Sequence, residues 1–182
     1  MGTSADDALR SLVGTVRRAD AALGRRREGW RDRRRAAELG IDGALLAATA
    51  AAAPTVVHLA DGRTRHVEVR SVHPEHAVVG LDGATALLAL RAVAVVEGAA
   101  DDVRELTDRA ARTAGVVGHE TLADVLERLA PLAVEVLVRH GPTVAGVLRA
   151  VGLETLVVAG ATGPRVVALD AVAMVVLVDP HR

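Results

Sequence analysis

The residues best placed to do chemistry are the imidazoles of His73-Pro74-Glu75-His76, with His66 a short way before them. Two histidines at that spacing plus a third donor form a recognisable set for Zn²⁺ or Ni²⁺. An internal counterpart of this stretch, Gly152-Leu153-Glu154-Thr155, keeps no histidine, and the chain has no Cys to supply thiolate ligands. Histidines of an ordinary loop are the simpler reading. Asp61 and Glu75 are turn acids at opposite ends of a strand, too far apart for paired acid–base work. Gly160-Ala161-Thr162-Gly163-Pro164 is not followed by a helix, so it lacks the N-terminus that a phosphate cradle needs. No nucleophile elbow or phosphate-loop pattern is present. The sequence predicts no catalysis and implies no cofactor.

The second constellation is basic. Arg25, Arg26, Arg27, Arg31, Arg33, Arg34 and Arg35 surround Trp30, the only aromatic residue of the chain. One reading is a phosphate-binding patch with an indole free to stack on a base. The other is a solvated helix face, with Glu28 and Asp32 within a helical turn of arginine partners.

What positions these residues is a repeat. Residues 55–97 return 79 positions later without a gap, and from Val57/Val136 to Val96/Val175 there are 14 identities in 40 pairs. They include Gly62/Gly141, Thr64/Thr143, Arg70/Arg149, Glu75/Glu154 and Ala92-Val93-Ala94 against Ala171-Val172-Ala173. A fixed period makes one structural unit account for much of the chain. Each unit reads as five short Val/Leu-rich strands, punctuated in the first by Asp61-Gly62, His73-Pro74 and Asp82-Gly83. The last strand, 171–178, is apolar on both faces, so a helix, the sister repeat or another subunit must cover it.

Helical patterns lie before and between the repeats. Residues 1–39 form an arm with Leu9, Val16, Leu23 and Trp30 seven apart, either lying on its own barrels or pairing with a second arm. A second helix follows Asp42 and stops at Pro54; residues 98–117 hold a linker helix, and His119–Ala130 is amphipathic. The expected divisions are 1–39, 40–97, 98–117 and 118–182. A 182-residue chain that is 51% hydrophobic but lacks Phe and Tyr must fill its core with Val, Leu and Ala. The net charge of −1 argues against a global basic field. No signal peptide or membrane span is read, so a soluble cytoplasmic protein is expected.

A short helix followed by five strands, the first two joined at Asp-Gly, resembles the Sm-like fold of Sm/LSm proteins and bacterial Hfq. The first motif stands as Val57-His58-Leu59-Ala60-Asp61-Gly62-Arg63, with Val67 where the family places a glycine in the bent second strand. The second copy has Gly141 and Gly146, with His140 and Pro142 beside the turn. The second motif stands as Leu90-Arg91-Ala92-Val93-Ala94-Val95-Val96 and Leu169-Asp170-Ala171-Val172-Ala173-Met174-Val175. The resemblance implies a mainly β fold with α: two tandem five-stranded SH3/Sm-like barrels, each preceded by a helix, after an Arg-rich arm. Asp61, Gly62, Gly141 and Gly146 would be the structural turn and bend positions.

The family's base-holding positions fall on Val72, His73 and Ala77, then on Val151, Gly152 and Leu156. Neither barrel offers an aromatic or an Asn, and only Arg91 survives in the second motif, with Asp170 in the other copy. The expectation is therefore a non-catalytic scaffold for assembly or protein interaction. Its partner is itself, as a homo-oligomer or through pairing of its two barrels, or another protein. The alternative is RNA bound by the Arg-rich helix and Arg91.

Overall fold

Runs of Val and Leu become strands wherever a turn residue bounds them. The first half holds β1 (Thr55–Leu59), β2 (Thr64–Val72), β3 (His76–Leu81), β4 (Ala84–Ala89) and β5 (Val93–Glu97). The second holds β6 (Leu132–Val138), β7 (Thr143–Val151), β8 (Thr155–Gly160), β9 (Gly163–Ala168) and β10 (Val172–Leu177). Short 3-10 turns, Leu90–Ala92 and Leu169–Ala171, precede β5 and β10. Three helices accompany them among the described residues: α1 (Ile41–Ala51), α2 (Val103–Thr113) and α3 (Leu122–Leu129). This is a computed structural model that describes residues 39–51, 54–98, 103–113 and 120–178. Contacts divide the chain into units 1–38 and 39–182, so the expected arm lies outside the described residues except for Leu39.

The repeat extends to hydrogen-bond register. Thr55 faces Val67 as Val134 faces Gly146, and Val72 faces Ala77 as Val151 faces Leu156. Even the bulges correspond, between Val69 and Ser71 in one half and between Leu148 and Ala150 in the other. The strand order is β5-β1-β2-β3-β4-β10-β6-β7-β8-β9, all antiparallel where paired. Two tandem five-stranded barrels were expected from the sequence; the strands form one continuous ten-stranded sheet that is not closed. The reason is the pairing of β4 with β10, which covers the doubly apolar last strand with the sister half. Val172, Ala173, Met174 and Val175 are all buried as a result.

Each half is nevertheless rolled. A flat five-stranded order would hold β4 and β5 about 19 Å apart at the usual strand spacing. Only three residues separate their ends, and that link reaches at most about 15 Å even fully extended. Two bonds strap the roll: Ala92 O accepts from Ala60 N at 2.8 Å, and Glu75 O accepts from Leu90 N at 2.9 Å. The second half repeats both, Arg139 N to Ala171 O at 2.7 Å and Leu169 N to Glu154 O at 2.8 Å.

Helix α1 packs on β2 and β5 with one side and on α2 with another. That sandwich is why Leu45, Leu46, Ala47 and Ala48 can all be buried in succession. The linker helix α2 is thus the outer cover of α1, with Ala110 buried. Helix α3 lies on β7 and buries Leu122 and Leu126. It starts at Leu122 because Thr121 and Asp124 form a reciprocal capping box, Thr121 Oγ1 accepting from Asp124 N at 3.1 Å.

Turn geometry follows residue type. Asp82 and Gly83 have φ of 50° and 80°, which suits the tight β3–β4 hairpin, and Gly62 has φ 88°. In the second half the expected role of Gly141 passes to its neighbour: His140, with φ 56°, takes the left-handed position. Gly146 has φ 158° in the bent strand β7.

Candidate functional site

The seam between the halves combines an apolar strand ladder with polar ties. Across it Leu88 faces Met174, Leu87 faces Val175, Ala86 faces Val176 and Thr85 faces Leu177. Aliphatic pairs in an antiparallel ladder exclude water from the strand bonds and favour this register. Two arginines then tie first-half turns to second-half backbone. Arg63 donates to Val138 O at 2.7 Å, and Arg91 donates to Leu169 O and, at 3.2 Å, to Asp170 O.

Arg63 also holds Asp61. Its Nε and Nη2 donate to the Asp61 carboxylate, the Nε bond being 2.9 Å, and its backbone N–H donates to Oδ1 at 3.1 Å. The side-chain bonds from Arg63 keep the Asp61 pKa down at about 2, against the upward push of burial; the Arg63 N–H, the guanidinium charge and the His140 backbone also lower it. The Asp61-Gly62 turn is a structural anchor.

Arg91 is the second-motif residue that the alternative reading assigns to RNA. Its guanidinium joins the halves, and its surroundings are acidic. A groove of about 970 Å³ at the seam is lined by Glu75, Asp124, Glu127, Glu154 and Asp170 against the single Arg91, with Leu122, Val151 and Leu169 as apolar floor. Such a surface repels phosphate. Arg91→Ala is expected to lower stability by about 1–2 kcal/mol through the lost carbonyl ties. Its retention of uridine-rich RNA at low salt should equal that of the parent chain, as read by a urea titration beside a filter-binding assay.

Of the other positions suggested for a base, three are buried and three, His73, Val151 and Gly152, reach the surface. Val72, Ala77 and Leu156 are core residues. His73 lies parallel to His76, ring centroids 4.4 Å apart and 9° between planes. His76 is fully buried, and neither of its ring nitrogens has a hydrogen-bond partner among the described residues. Burial foremost, and then the nearby His73, lowers the His76 pKa from 6.5 to about 4, while Glu75 and Glu120 pull it the other way. His66 is exposed on β2, and no metal-holding group of His, Asp and Glu occurs among the described residues. Arg25, Arg26, Arg27, Trp30, Arg31, Arg33, Arg34 and Arg35 lie outside the described residues. No described helix is long and apolar enough to cross a membrane.

Among the described residues the sheet ends in two edges, β5 and β9, that pair with no further strand. Sequence reasoning did not single out their residues, nor Arg63, although the 79-residue offset contains the signal. Val95 on β5 corresponds to Met174, and Val166 on β9 corresponds to Leu87. Comparison of the chain with family models, curated proteins and solved structures gave no match.

Proposed function

We propose that the chain is a non-catalytic assembly scaffold: two Sm-like small-barrel units in tandem that extend by strand pairing to further copies of itself. The repeated order 5-1-2-3-4 and the rolled halves support the small-barrel reading. One observation carries the assembly: the free edges expose the counterparts of residues that the seam buries. Leu87 is 2% exposed and Val166 69%; Met174 is 0% exposed and Val95 46%. The internal seam is therefore a template for an external one.

Shifting the seam register by the repeat places Val95 opposite Val167, Val96 opposite Val166 and Glu97 opposite Arg165 of the next copy. The last pair brings opposite charges together across the ladder, a favourable arrangement. The contact joins unlike edges, so it builds a ring if the rotation closes and a filament if it does not. Two ties have no external counterpart, because Pro142 stands in the place of Arg63 and Asp170 in that of Arg91. The external seam is thus weaker than the internal one, and assembly is reversible with concentration.

Light scattering across a dilution series tests this. The mass is expected to rise in multiples of 18.8 kDa with concentration, and Val166→Asp, which sets a carboxylate in the paired edge, should hold it at one chain. A parent chain that stays at a single chain's mass up to millimolar concentration removes the proposal.

A further inference from the structure

We infer that Glu154, in the turn between β7 and β8, receives the start of α1 from a second copy of the chain, and that the acidic groove beside it is where that helix end lodges. This rests on the strand-paired assembly proposed above and goes further, to a particular contact within it.

The contact already exists once inside the chain. Glu75, in the β2–β3 turn of the first half, accepts a hydrogen bond at 3.3 Å from Leu122 N, in the first turn of the second half's helix α3. In the 79-residue correspondence Glu75 becomes Glu154, α3 becomes α1 and Leu122 becomes Gly43. The movement that carries the first half onto the second carries the second onto the first half of the next copy. It therefore sets Glu154 against Gly43 N of that copy.

The chemistry suits both partners. A helix start leaves N–H groups with no intrahelical acceptor and carries the positive end of the helix dipole. Gly43 brings no side chain to screen its N–H. Glu154 is exposed, and beside it Leu153 is 99% exposed, the most exposed large apolar side chain among the described residues. Both line the groove. A second copy seated there covers an isolated leucine and gives Glu154 the donor that Glu75 has.

The chain contains no Cys, so paired cysteines joined by a short bis-maleimide report the contact cleanly. Asp42→Cys with Glu154→Cys should link between chains and give a ladder on a denaturing gel. Glu75→Cys with Thr121→Cys, the internal counterpart, should link within one chain and confirms the reach of the reagent. Glu97→Cys with Arg165→Cys reports the strand pairing alone. If that third pair links chains while the first does not, the helix contact is wrong and the strand-paired assembly stands. If neither links chains, the assembly reading itself falls. A first pair that closes only within single chains also overturns the inference.

Discussion

Alanine at Gly146 is expected to lower the unfolding free energy by about 4 kcal/mol, a large part of the 5–15 kcal/mol typical of a domain. Two effects combine. The φ of 158° belongs to a region that side chains rarely adopt, which costs about 1–3 kcal/mol. A Cβ there would also stand 2.8 Å from the carbonyl carbon of Ala159 on the neighbouring strand, and closer still to its oxygen. Backbone cannot yield as a side-chain tip can, so β7 and β8 must separate, adding an overpacking cost of about 1–3 kcal/mol. The first half has a buried valine at 67 in the corresponding place. Alanine at Gly80, whose Cβ would meet only the Arg70 and Glu68 side chains, should cost less than alanine at Gly146. Urea midpoints of the variants give the comparison, and a Gly146→Ala chain within 1 kcal/mol of the parent would contradict the close approach described here.

Acid should weaken the fold in a window set by His76. Its side chain is buried and holds a pKa of about 4 against an ordinary 6.5. Above pH 6.5 the ring is neutral in both folded and unfolded chains, and the fold keeps its full stability. As pH falls through 6.5 the unfolded chain takes up the proton first, so stability drops until the folded chain protonates near pH 4. The accumulated loss is about 3 kcal/mol. Asp61, lowered from 3.8 to about 2, withdraws its contribution only below about pH 3.8, so its effect is separable from the histidine's. Urea titrations at pH 7.5, 5.5 and 4 should show the decline, and His76→Leu should flatten it while keeping a side chain of core size in place. An unchanged decline in that variant would assign the acid sensitivity elsewhere.

The strands were legible because local chemistry determines them: Val/Leu runs bounded by Asp61-Gly62 and Asp82-Gly83 have few alternatives to hairpins. Register was not legible: Val67, Val69 and Arg70 do not alternate cleanly, so the faces stayed open, and the repeat implied only that both halves share one register. Nor was the joining of the halves determined. Nothing local distinguishes β4 as the neighbour of β10; pairing of the two barrels was one expectation among several, and the doubly apolar stretch at 171–178 named several possible covers. The ties made by Arg91 were hidden for a related reason. An arginine in a motif looks free in sequence, whereas its carbonyl acceptors at Leu169 and Asp170 become neighbours only once β4 and β10 have paired. The burial of His76 has a local trace in the Ala77-Val78-Val79 run that follows it, but charge-bearing Glu75 beside it suggested an open loop.

The unlike edges give any assembly built on them a direction, as a zip has. A chain blocked on β9 still offers a sound β5, so it joins a growing array once and then stops it. A small fraction of such chains would shorten the whole population out of proportion to its amount, in the manner of a chain terminator.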